Sequence, residues 1–145
     1  MTFIESETIE LKSSVVADLC KEVIAFANTK GGILYIGVAD NGTVVGVDHA
    51  DRVTLQINNM VRDSIKPDVT MFVHYETQMV EGKQIIAVTV QKGTDRPYYL
   101  GSKGLKPSGV YVRNGTSTDP ATDTAIRKMI KETDGDSFET MRSLE

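Results

Sequence analysis

A chain of 145 residues is long enough to bury one core without disulfides or metals and too short for two full domains. Its 16 basic and 20 acidic side chains give a formal net charge of -4, which excludes a protein that coats nucleic acid by overall charge and leaves only a local patch for an anionic partner. The single cysteine excludes an internal disulfide or a multi-cysteine zinc site. No apolar run approaches the roughly 20 residues that span a bilayer, and the acidic opening residues lack the apolar core of a secretory signal, which predicts a cytoplasmic protein that does not engage membranes.

Residues 8–12 alternate, with Ile9 and Leu11 on one face and Thr8, Glu10 and Lys12 on the other, the pattern of a half-covered strand. Ser13 or Ser14 is placed to cap a helix whose apolar positions (Val16, Leu19, Cys20, Val23, Ile24, Ala27) end at Asn28. Cys20 falls on that apolar face and reads as core packing. Gly31 and Gly32 then permit a sharp turn into a second strand over residues 33–38. Asn41-Gly42 is a two-residue hairpin signal leading to a strand over 43–47.

An amphipathic helix follows over 51–65, stopped by Pro67. Residues 69–75 and 84–90 read as an antiparallel pair around a turn at Glu81-Gly82. Residues 93–108 form a long loop rich in Gly, Lys and Tyr, and loops of that length in compact domains are usually functional or disordered. Residues 110–113 are the last predicted strand. Ser117 or Thr118 with Pro120 can open a helix over 121–131, which Asp134-Gly135-Asp136 ends.

Several separated motifs share one resemblance. Glu5, Glu10-Leu11-Lys12, the stretch from Ala25 through Asn28-Thr29-Lys30-Gly31-Gly32 to Val38, Asp40-Asn41-Gly42-Thr43, Pro97-Tyr98-Tyr99 and Gly109-Val110-Tyr111-Val112-Arg113-Asn114-Gly115 occur in the order found in the Schlafen AlbA-type DNA-binding domain. The chain resembles that family from about Glu5 to about Ile130. The resemblance implies a compact α/β domain that binds DNA or RNA, found in bacterial proteins labelled transcriptional regulators and divergent AAA proteins; in vertebrate relatives it implies RNA cleavage. It also implies further C-terminal domains in a longer parent chain, with Leu144-Glu145 suited to a vector-derived ending.

Three groups of residues carry chemistry. The turn Asn28, Gly31, Gly32 with Lys30 has the composition of a phosphate cradle, but it matches neither the Walker A nor the dinucleotide fingerprint, and a plain helix C-cap explains it more simply. By the resemblance, Glu5, Glu10 and Asp40 fall on the acidic triad that binds Mg²⁺ or Mn²⁺ in nucleolytic relatives, with Lys12 beside Glu10 on the same strand face. Glu5 and Glu10 differ in strand parity, so such a site needs a bend between them; otherwise Asp40 is a turn residue and the glutamates are solvated charges.

The third group lies in the one strongly positive window, where Lys92, Arg96, Lys103, Lys106 and Arg113 accompany a single acid, Asp95. The cations can contact phosphates, and Tyr98 or Tyr99 can stack on an unpaired base, unless the tyrosines simply pack the loop onto the sheet. His49 and His74 show no catalytic or metal-ligand spacing.

These readings predict an α/β (α+β) fold with a mixed, largely antiparallel sheet of about five to six strands and two to three helices. Residues 1–132 form the Schlafen/AlbA-like domain and 133–145 a polar tail or linker. The leading functional expectation is a non-catalytic nucleic-acid-binding domain of a bacterial transcriptional regulator, without a cofactor. The alternatives are a Mg²⁺- or Mn²⁺-dependent endoribonuclease using Glu5, Glu10 and Asp40, and a dimerisation or ligand-sensing module whose glycine turn meets a partner chain, a homodimer among them.

Overall fold

The computed structural model describes the backbone of residues 2–143 and the side chains of residues 2–134. A four-stranded sheet, in the order β1-β2-β5-β4, carries the domain. Strand β1 (Ile9–Lys12) runs parallel to β2 (Gly32–Ile36), and the crossover between them is helix α1 (Leu19–Asn28). The pair β4 (Val73–Val80) and β5 (Lys83–Val90) is antiparallel, with β5 also antiparallel to β2. This is the mixed, mostly antiparallel α+β architecture that the sequence predicts.

Period-two alternation explains which face each strand buries. Leu34, Ile36, Ile86, Val88 and Val90 join Leu19, Val23, Ile24 and Phe26 of α1 and Ile57 and Val61 of α2 (Ala50–Ser64) in the main core. On the opposite face Leu11, Val38, Val44 and Ile85 close a smaller cluster with Phe3. Because Leu11 faces that cluster, Glu10 and Lys12 point toward α1.

Two short ribbons complete the fold. Strand β3 (Ile65–Lys66) pairs with β6 (Tyr99–Leu100), and β7 (Tyr111–Asn114) forms a hairpin with β8 (Ser117–Pro120). Helix α3 (Asp123–Ser143) covers a third cluster of Val110, Ala121, Ile126 and Met129. Among the described residues, no helix is long and apolar enough to cross a membrane.

Several boundaries differ from the sequence expectations. Helix α1 begins at Leu19 rather than near Ser13, and Asp18 precedes it without a side-chain cap. Beyond Asn41-Gly42 only one bridge forms, Val38 to Val44, because Gly37 and Gly46 both take positive φ and the Val45 and Gly46 amides donate to the Gly37 carbonyl.

Residues 117–120, expected to open a helix, are strand β8, and the cap is Thr122, whose hydroxyl accepts from the Ala125 amide at 3.0 Å. The segment read as a polar tail continues α3 as far as Ser143; a lone glycine such as Gly135 costs a helix about 1 kcal/mol and does not end it. Leu144 and Glu145 lie outside the described residues.

Candidate nucleic-acid interface

The C-terminus of α1 is built by Asn28 and two glycines. The Asn28 side-chain amide donates to the carbonyls of Tyr98 (3.0 Å) and Tyr111 (2.9 Å), and its oxygen accepts from the Tyr98 amide (2.7 Å). One buried side chain thus fastens the helix end to β7 and to the entry of β6. The Gly31 amide, at φ 77°, donates to Phe26 O, closing the helix. A Cβ at Gly31 would stand 2.7 Å from Val90 O, and one at Gly32 would meet the Phe26 ring. The turn is filled by the protein's own backbone and aromatic groups, and Lys30 reaches outward to an ion pair with Glu7.

The expected acidic triad is distributed differently. Glu10 is 6% exposed, and its carboxylate accepts from Arg113 Nη1 at 3.3 Å and from the Leu11 amide at 3.2 Å. Arg113 Nη1 also donates to Glu22 (3.4 Å) and Thr118 Oγ1 (3.0 Å), while Nη2 donates to the carbonyls of Ser6 (2.8 Å) and Ile9 (3.1 Å). Thr118 donates to Glu22 at 2.6 Å, and Lys12 lies 3.6 Å from the same carboxylate. Phe26 supports the guanidinium from a ring centroid 5.2 Å away.

The chain does bend between Glu5 and Glu10, where the Ser6 amide donates to Ile9 O. Even so, Glu5 is half-buried, Glu10 is committed to Arg113, and Asp40 is exposed in a turn that the Ala39 carbonyl and Gly42 amide close. Among the described residues, no three carboxylates, histidines or cysteines stand close enough to share a metal ion. These residues do not fit a shared Mg²⁺ or Mn²⁺. Lys12 neutralises Glu22 instead of facing an open site.

The positive window divides into buried and exposed members. The Arg113 side chain is 0% exposed, so it neutralises two carboxylates in the interior and presents nothing to a phosphate. The Arg96 side chain is 13% exposed; it donates to Asn28 O and pairs with Glu132 at 3.0 Å. Tyr98 is fully buried under Gly93, its hydroxyl accepting from the Asp95 amide, and burial pushes the phenol up despite that bond. It cannot stack on a base. Tyr99 is half-buried against the cluster under α3.

Lys92, Lys103 and Lys106 are exposed. The last two ride on a turn-rich segment, 101–109, that is ordered by its own backbone. The Lys103 and Gly104 amides donate to Leu100 O, Gly109 and Val110 to Lys106 O, and Gly101 to Ser64 O. The final bond brings in Lys66, an exposed cation that sequence reasoning missed: its side chain lies along Gly101, where a Cβ would meet Lys66 Cγ at 3.2 Å. Only the antiparallel pairing of Lys66 with Tyr99 shows this, since the two segments are far apart in the chain. Leu105, half-exposed at 49%, sits between Lys103 and Lys106.

Cys20 lies in the core, as its helical position predicts, and burial pushes its thiol up, with a Ser64 bond opposing. A raised thiol is a poor nucleophile.

Two solved structures share the fold. The crystal structure of the DIP2311 protein from Corynebacterium diphtheriae matches with a TM-score of 0.60 at 18% identity, over 79% of this chain and 25% of that one. The present chain therefore spans about a quarter of that protein's length. The solution structure of the N-terminal domain of an ATP-dependent DNA helicase RecG-related protein from Nitrosomonas europaea matches with a TM-score of 0.59 at 29% identity, over 81% of this chain and 85% of that domain. The search of curated proteins found no match. The family model described as Schlafen, AlbA_2 matches residues 5–122, a span that opens at Glu5, takes in the Arg113 network and ends at the Thr122 cap, so the chain belongs to the Schlafen AlbA_2 family.

Proposed function

We propose that this domain binds nucleic acid without cleaving it, as the DNA-recognising part of a bacterial transcriptional regulator working in the cytoplasm. The observation that carries the reading is the self-ordered segment 101–109, which holds Lys103 and Lys106 in solvent beside Lys66. A preformed cationic loop contacts phosphates without the entropic cost of ordering, and phosphate contacts supply most sequence-independent affinity. Lys92 extends the set, Lys30 remains a peripheral contact while paired with Glu7, and Leu105 and the exposed part of Tyr99 offer apolar contact to sugar or base. Family membership and the RecG-related name of a structural neighbour support the same class of partner. The non-catalytic part rests on Glu10, which Arg113 already occupies.

Fluorescence anisotropy against single- and double-stranded DNA and RNA at several salt concentrations tests the reading. Lys66→Ala, Lys103→Ala and Lys106→Ala should each weaken binding equally for all sequences and lower the salt slope by about one. An unchanged slope across the three variants would remove the loop from the interface. RNA cleavage in Mn²⁺ that Asp40→Asn abolishes would overturn the non-catalytic part.

A further inference from the structure

Strand β4 forms one edge of the main sheet, and its outer side is open. The turn joining it to β5 has Glu81 at φ 52° and Gly82 at φ 74°, the two left-handed residues of a type I′ hairpin, which makes Val80 and Lys83 a hydrogen-bonded pair. Counting back by two, Gln78, Glu76 and His74 direct their backbone groups at β5. Val73, Tyr75, Thr77 and Met79 direct theirs away. Among the described residues, Tyr75, Thr77 and Met79 have no other backbone partner, the Val73 amide alone being taken by Thr70 O, and no element besides β5 packs substantially on β4. Edge strands are usually protected by brevity, lysine, proline or a bulge. This one is 8 residues long, pairs without a register break and contains neither lysine nor proline.

We infer that β4 is the contact surface for a second copy of this chain, the two β4 strands pairing antiparallel about a two-fold axis at Tyr75. In that register Tyr75 meets the partner's Tyr75 as a fully hydrogen-bonded pair, and the Thr77 amide of each copy donates to the carbonyl of the other copy's Val73, whose own amide stays with Thr70 O. About four backbone hydrogen bonds form. On the face away from the helices, His74 then stands opposite the partner's Glu76, and Glu76 opposite the partner's His74. Imidazole N–H donates to carboxylate twice by symmetry. Two exposed large apolar side chains, Met79 (65%) in the strand and Met71 (74%) in the 3₁₀ turn just before it, also come near each other across the axis.

Neighbouring registers lose this match. An axis at Glu76 sets that carboxylate against its own copy, a destabilising like-charge pair, and an axis at Thr77 sets His74 against the partner's Val80 and leaves Glu76 only the neutral amide of Gln78. The two four-stranded sheets become one continuous sheet.

Sedimentation velocity on the full chain across a concentration series tests the assignment without any nucleic acid, so the outcome is independent of the lysine loop. The expected result is a concentration-dependent species of twice the monomer mass. Thr77→Pro removes an outward N–H while leaving the β5 ladder intact, and should raise the dimer dissociation constant at least about tenfold. Should that variant unfold, His74→Glu provides the same test by setting like charges opposite each other, and adding Glu76→His to it should restore association. A single monomeric species at every concentration overturns the proposal. So does a dimer that neither Thr77→Pro nor His74→Glu weakens.

Discussion

The guanidinium of Arg113 lies between two buried carboxylates, 3.3 Å from Glu10 and 3.4 Å from Glu22. Removing one partner of a buried ion pair strands the other charges, at about 3–5 kcal/mol. Arg113→Met should therefore lower the urea midpoint sharply, with nucleic-acid affinity per folded molecule unchanged. Arg113→Lys should rescue little, because one ammonium cannot reach Glu10, Glu22 and the Ser6 and Ile9 carbonyls together. A variant that folds normally and loses affinity would place Arg113 back among the phosphate contacts.

Asn28→Asp tests the bracket at the end of α1. A carboxylate can accept from the Tyr98 amide but cannot donate to the Tyr98 and Tyr111 carbonyls. The two orphaned acceptors should cost about 2–4 kcal/mol in chemical denaturation. Hydrogen exchange at Tyr98 and in β7 should accelerate before exchange in β5.

Gly31→Ala separates a structural turn from a ligand cradle. The new Cβ must accept φ 77° and an approach to Val90 O, so thermal stability should fall by about 2 kcal/mol or more. Affinity of the remaining folded protein should stay unchanged.

Tyr75 gives a pH signature. Burial pushes its phenol from 10.0 up to about 12, and among the described residues its hydroxyl has no hydrogen-bond partner. Between those values the unfolded chain has released a proton that the folded chain still holds, so stability falls as pH rises through that window. Tyr75→Phe should flatten that fall and, below pH 9, leave stability equal or about 1 kcal/mol higher. Denaturation midpoints measured from pH 8 to 11 check both statements.

Much of this was legible in the sequence because local chemistry dictates it. Glu81-Gly82 between two alternating runs fixes the β4–β5 hairpin, and the apolar spacing in α1 and α2 names the core face of each helix. What was not legible depends on long-range pairing. Arg113 follows the apolar run Val110-Tyr111-Val112, yet nothing nearby signals that its partners are Glu10 and Glu22, some 103 and 91 positions away. Asn28 reads as an ordinary C-cap because its two tyrosine carbonyls are equally remote. Strand β8 was hidden because Ser, Thr and Pro open helices as readily as they line an edge. Lys66 escaped notice because only the β3–β6 ribbon brings it to the loop.

The bonds from Arg113 to the Ser6 and Ile9 carbonyls join positions 107 and 104 residues apart. During synthesis at about 5–20 residues per second, Glu10 and Glu22 leave the ribosome several seconds before the guanidinium that bridges them. The crossover β1-α1-β2 can form early, but its carboxylates must stay hydrated until β7 arrives. The domain therefore locks late and as a unit, and a nascent chain stalled before Arg113 leaves Glu10 without its cation and Glu22 with Lys12 alone.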